Sequence, residues 1–413
     1  MSRATKKLVR GGVVAAVSLV ATVALAVPAW ATQSAGTSPL KSPSPRYGAA
    51  MACDAAHGDV VLFGGDGPNA VFGDTWTWDG TGWTQRFPAH SPPPRALAAM
   101  ADDAAHGDVV LFGGSGGGGD TWTWDGTDWT LRYPAHWPPG RSGMGLAYDA
   151  ARGEVVMFGG SKGPGPGGML NDTWTWDGTD WTQRLPAHSP PLGDQVAMAY
   201  DAARGDVVFL GQFQETWIWN GTDWTESTPA HSPPFESQEA MAYDAARGEV
   251  VLYSAWPYYQ TWGWNGVDWT QFTPAHSPSA RVEVGMAWDV AGSQVVLFGG
   301  MGTPGDLGDT WGWNGVDWTQ RPAGSLAKLS PPSGPGGTTV SVTGWGFLVG
   351  ERVRLSFIDS TMGPILLDRA RADVSGAFST QVTIPVGATP GKHVVKAKGM
   401  MSGQIARRTF TVP

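Results

Sequence analysis

The stretch GDTWTWDGTGWTQ, Gly73 to Gln85, sets three tryptophans within eight residues. It returns as DTWTWDGTDWT at Asp120–Thr130 and Asp172–Thr182, then as ETWIWNGTDWT (Glu215–Thr225), QTWGWNGVDWT (Gln260–Thr270) and DTWGWNGVDWT (Asp309–Thr319). The six copies hold 18 of the 23 Trp, so a repeat rather than scattered indoles decides the fold.

Outward from the tryptophans, each copy has the same parts. RYGAAMACD (Arg46–Asp54) is followed by a tight Asp-Ala-Ala turn and the apolar run DVVLFGG (Asp59–Gly65). A variable Gly-rich loop leads to TWTWDG, then to the third Trp, then to a PAHSPP segment. Four short strands, A to D, fit each copy. Asp-Gly or Asn-Gly between C and D predicts a type I′ hairpin turn. Alternation puts Trp76 and Trp78 on one face, within reach of Trp83 on the neighbouring strand. One four-stranded sheet cannot bury that much indole, so each Trp face is expected to pack on the next sheet. Burying one Trp removes about 150–250 Å² from water, about 4–6 kcal/mol of gross stabilisation.

Paired Gly after strand B, aromatics in strand C, a Trp shortly after and Arg before strand A resemble the kelch repeat. The resemblance covers Arg46 to Gln320. It implies an all-β fold, a six-bladed kelch-type β-propeller over residues 46–322. From Thr338 the text turns to short alternating strands such as TTVSVTG, ERVRLSF and GKHVVKAKG. With SPPSGPGG (Ser330–Gly337) ahead of them, they resemble bacterial immunoglobulin-like domains of the IPT/TIG kind. The expected organisation ends with a Pro/Gly/Ser-rich linker at 323–337 and an Ig-like β-sandwich at 338–413.

The N-terminus reads differently. Lys6, Lys7 and Arg10 precede an apolar run from Gly11 to Val27, then Ala29-Trp30-Ala31. That is the pattern of a secretory signal peptide over 1–31, with a linker at 32–45. The expectation is a secreted or cell-surface protein with no membrane span after cleavage. The single cysteine, Cys53, excludes an internal disulfide, so stability comes from packing. Residues 32–322 carry 13 Lys+Arg against 32 Asp+Glu, a balance that repels nucleic acid. Residues 323–413 reverse it, with 10 against 4.

The kelch fold hosts both binding modules and enzymes. Galactose-oxidase-like copper enzymes resemble this domain order, but they need a Cys–Tyr cross-link with Tyr and His ligands. Cys53 stands where the other copies have Asp102, Tyr148, Tyr200, Tyr243 or Trp288, a packing position. His90, His136, His188, His231 and His276 recur once per copy, which spreads them apart instead of gathering them round a metal. No cofactor or metal site is expected.

Copies four and five break the pattern together. They lose the paired glycines, and their B–C loops turn short and aromatic, GQFQE (Gly211–Glu215) and AWPYYQ (Ala255–Gln260). They also lose the Arg before strand A. In the kelch family that Arg can line the mouth of the channel and bind acidic groups. The resemblance therefore implies a lopsided rim. One arc carries Arg46, Arg95, Arg141 and Arg281. The other carries Asp194, Glu236, Phe213, Trp256, Tyr258 and Tyr259. Aromatics beside carboxylates suit sugar rings, and Arg suits carboxylates. The leading expectation is a binding or adhesion protein for a carbohydrate or a surface protein. The alternative is a kelch-fold enzyme acting on sugars or oxidising alcohols.

Overall fold

The structure is a computed structural model. It describes residues 42–413 except 81, 117, 164–167, 194–195, 212–213, 235–238, 255–258, 304, 322–325, 345–346, 348–349, 351, 360–362, 374–376 and 401–404. The expected signal segment, 1–31, and most of the expected 32–45 linker lie outside the described residues.

The repeat folds as its alternation requires. In the first copy strand A is Ala50–Asp54, B is Asp59–Phe63, C is Thr75–Trp78 and D is Trp83–Arg86, and they pair antiparallel in that order. Five more sheets repeat the order, the last with first strand Gly285–Asp289 and final strand Trp318–Arg321. Each of these six sheets takes its strands from its own copy, so among the described residues no strand is exchanged between the first copy and the last.

The C–D connection differs from the expected two-residue turn. Trp78 pairs with Trp83, which leaves a four-residue loop. In the second copy the Asp125 carboxylate accepts the N–H groups of Thr127 and Asp128, and only Gly126 takes a positive φ, 88°. The side chain does what a second left-handed residue would have done.

The tryptophans join sheet to sheet. In each copy the second and third indoles face each other across strands C and D, with ring centroids 5.3–5.5 Å apart. All twelve are essentially inaccessible to solvent. They pack on the preceding sheet: Trp124 and Trp129 share a core with Ala52, Val61 and Phe63 of the first. Trp78 and Trp83 share one with Ala287, Val296 and Phe298 of the sixth. The first indole of each copy is less uniformly covered, being buried in Trp76, Trp174 and Trp262 and half-buried in Trp122, Trp217 and Trp311.

One hydrogen bond repeats at every junction. The third Trp of each copy donates its Nε1–H to the Thr that opens strand C of the preceding sheet: Trp129 to Thr75, Trp181 to Thr121, Trp224 to Thr173, Trp269 to Thr216 and Trp318 to Thr261. Trp83 of the first copy donates to Thr310 of the sixth. All six are 2.8–2.9 Å and buried. The series closes on itself.

The tail is two sheets over one core. Leu326–Ser330, Thr339–Gly344 and Phe378–Thr383 form one. Gly363–Arg371, Arg352–Asp359, Gly391–Gly399 and Ile405–Val412 form the other, in that spatial order. Val340, Val342 and Val382 meet Leu355, Phe357 and Val395 between them. The expected linker is therefore partly structural. Leu326–Ser330 pairs with Thr339–Gly344, and the Pro and Gly that follow made the whole segment read as loop.

Candidate functional site

The arginines of the expected rim are buried. Arg46, Arg95, Arg141 and Arg281 are 1–3% exposed. Each guanidinium forks onto the Asp that precedes strand C of its own sheet, Asp74, Asp120, Asp172 and Asp309, at 2.5–3.0 Å. The same Nη1 donates to the first carbonyl of the glycine pair, as Arg95 does to Gly113, and Nε donates to a carbonyl two residues back. A guanidinium so occupied is not presented to a ligand, which corrects the expectation of an exposed Arg arc. Its job is to tie the entry of strand A to the end of strand B and the start of strand C. The signal was in the sequence: the two copies without the Arg have Glu215 and Gln260 where the others have Asp.

The five PAH histidines are junction clamps. In each, the backbone N–H and the ring Nδ1 of the His meet the two carboxylate oxygens of the Asp that precedes the third Trp of the next copy. The pairs are His90–Asp128, His136–Asp180, His188–Asp223, His231–Asp268 and His276–Asp317, all at 2.7–2.8 Å. Bonds from the His side chain and backbone hold Asp180, Asp223, Asp268 and Asp317 below the usual carboxylate range. His393 is a core residue of the tail, against Phe357, with Nε2 2.6 Å from the Thr389 carbonyl oxygen. Among the described residues no three His, Cys, Asp or Glu side chains gather as a metal site requires.

The first strands of all six sheets line one cavity of about 240 Å³. Alanine stands in every copy at Ala52, Ala101, Ala147, Ala199, Ala242 and Ala287, and position four differs most. There, burial and the nearby Asp102 charge push the Cys53 thiol up to about 12. Asp102 itself is raised to about 7, chiefly by burial, with the charges of Asp54 and Asp103 adding to it.

A second cavity, about 140 Å³, is lined by the residues that lead into those strands. Gly48, Leu97, Gly143, Val196, Glu239 and Glu283 come one from each copy. Its walls are apolar except on one side, where Glu239 of the fifth copy and Glu283 of the sixth stand. Two of its residues carry backbone strain: Leu97 and Glu283 sit at φ 56° and 54°, where copies one and three use Gly48 and Gly143. Sequence reading missed Leu97 and Glu283. Their signal is the position two residues after the Arg, glycine in two copies and not in these.

The other expected arc is only partly visible. Asp194, Phe213, Glu236, Trp256 and Tyr258 lie outside the described residues. Tyr259 is described, at φ 51°, and Gln214 in the matching loop of the fourth copy is at φ 72°. In the first copy the B–C loop starts beside the segment that enters strand A, where the backbones of Tyr47 and Asp66 pair.

No family model and no curated protein matches the chain. Among solved structures it is similar to a novel fungal alcohol oxidase of the AA5 family in complex with copper. The identity is 15% over 91% of this chain and 98% of that one, with a TM-score of 0.45. It is also similar to YCF48 bound to D1 peptide, at 13% identity over 85% of this chain and 96% of that one, with a TM-score of 0.37. No helix among the described residues is long and apolar enough to cross a membrane.

Proposed function

We propose that the chain is an exported binding or adhesion protein, a six-bladed kelch-type propeller carrying an immunoglobulin-like module. The binding site is the mouth of the smaller cavity, on the arc of copies four to six, and the partner is a carbohydrate or a surface protein. The observation that carries this reading is the placement of strain. Four of the five non-glycine residues at positive φ among those described are Leu97, Gln214, Tyr259 and Glu283. Two of them line this cavity and two lie in the loops that lost the glycine pair. Each costs about 1–3 kcal/mol, and at the positions of Leu97 and Glu283 copies one and three use glycine at a similar φ. A wall of Leu97, Met144 and Val196 facing Glu239 and Glu283 suits a ligand with an apolar body and a hydroxyl-rich or cationic edge. The aromatic residues Phe213, Trp256, Tyr258 and Tyr259, with Asp194 and Glu236, belong to copies four and five in sequence and are expected to extend the site.

The test is a glycan array and a panel of immobilised surface proteins, each probed with the parent and two variants. One variant is Glu239→Gln with Glu283→Gln, and the other is Trp256→Ala with Tyr258→Ala. The reading expects a hit for the parent that falls about tenfold or more in both variants. Variants that bind as the parent does remove the site. A stoichiometric transition metal in the purified protein would turn the reading toward an enzyme.

A further inference from the structure

The tail presents a second surface, unrelated to the cavity mouth. On the outer face of its four-stranded sheet, Arg352 and Arg354 alternate with the buried Val353 and Leu355. Arg352 stands directly opposite Arg371, and Arg354 stands between Arg369 on one side and Lys398 on the other. Lys396 follows on the same face, opposite Ser356. Five of these six cations are exposed and Lys396 is half-buried. Among the described residues none of them forms an ion pair. Asp368, next to Arg369 in sequence, accepts instead from the Thr380 hydroxyl.

Like charges directly opposed across strands destabilise a sheet. This sheet holds three such pairings, Arg352–Arg371, Arg354–Arg369 and Arg354–Lys398, with no carboxylate set between them. A solvated surface with no task would intersperse signs. The cations form a band crossing three strands, with neighbours about 4.8 Å apart across strands and about 7 Å along them. Four of the six are Arg, whose planar fork matches a carboxylate.

We infer that this face docks a linear acidic polysaccharide, whose carboxylates lie along the band while its rings stay outside. Among the described residues the face offers no aromatic side chain on which a base could stack, and residues 32–322 of the same chain are strongly acidic, so a nucleic acid is disfavoured. A lipid surface is served by projecting apolar anchors. Here Ile358 and Val394 are half-buried, and the exposed apolar side chains are isolated, Leu366 opposite Ser356 and Met400 beside Arg352.

The experiment uses the full chain on immobilised polygalacturonate, with neutral dextran, inorganic polyphosphate and anionic phospholipid vesicles as the other arms. The expected result is binding to polygalacturonate that weakens steadily with added salt, and none to dextran. Arg354→Ser with Arg369→Ser should weaken it about tenfold or more. The same variant should melt at or above the parent's temperature, because it removes like-charge pairs. Unchanged binding overturns the inference, as does capture by vesicles or polyphosphate without polygalacturonate. If that variant melts lower than the parent, Lys398→Gln decides, and its failure to weaken binding also overturns the inference.

Discussion

At position four of strand A the copies carry Cys53, Asp102, Tyr148, Tyr200, Tyr243 and Trp288. Each tyrosine hydroxyl faces the backbone N–H of the neighbouring turn, at Ala105, Ala151 and Ala203. Asp102 does the same with the Ala55 N–H, at 3.4 Å, but with a carboxyl where a phenol would stay neutral. Because its folded value is raised to about 7, the folded chain holds this proton more tightly than the unfolded one. Stability from this site is therefore present at low pH and is lost as pH rises from about 4 to about 7. Asp102→Asn should melt above the parent at pH 8, with the gap closing toward pH 4, and a gap that ignores pH would refute the assignment. Sequence reading saw position four as packing, which held for Tyr, but burial of a lone carboxylate has no sequence signature. The Arg–Asp forks were legible in principle, since Arg and Asp vanish together from copies four and five. In sequence they read as a rim, because an Arg beside a channel and an Arg under it look alike there.

Among the elements, the strands were legible almost throughout, since period-two alternation with fixed Gly leaves little choice. Leu326–Ser330 was not, because five residues between Pro- and Gly-rich flanks carry too little pattern to announce a strand. The junctions between sheets show a further asymmetry. Five carry the His–Asp clamp. At the sixth, Gly82 stands where the other copies have Asp, and the sequence reads Pro322-Ala323-Gly324 where the others read Pro-Ala-His. That junction has a different bond: Trp78 donates to Asp289 at 3.0 Å. The matching indole N–H of Trp124, Trp176, Trp219 and Trp313 meets no acceptor among the described residues. At those junctions the turn Asp of the preceding sheet is engaged by a basic residue, as Asp54 is by His57 and Asp149 by Arg152. The clamps predict an acid-sensitive contribution. A carboxyl held low by its His stabilises the fold above the usual carboxylate value, and that contribution is lost as pH falls through the folded value. Asp223→Ala should lower the melting temperature at pH 7 by less than any buried-Trp truncation does. The difference should shrink below about pH 4. A difference as large at pH 3 as at pH 7 would place the clamp's effect elsewhere.

For the whole molecule, a repeat protein can be an open array or a closed circuit, and one sequence does not say which. Six complete copies are compatible with both. What decides is the contact between the first and last copies, and the residues that make it, Trp83 and Thr310, are the same two types found at every other junction. With one cysteine and no disulfide, the circuit's cohesion rests on these buried indoles. The most direct test compares Thr310→Val, which removes the acceptor at the closing junction, with Thr121→Val, its counterpart between the second and third sheets. Each leaves one buried indole N–H unsatisfied, at about 1–3 kcal/mol. The two variants should lose equal stability by denaturant unfolding, each in a single transition. If Thr310→Val unfolds as the parent does while Thr121→Val is destabilised, the first and sixth sheets are not joined and the circuit is open.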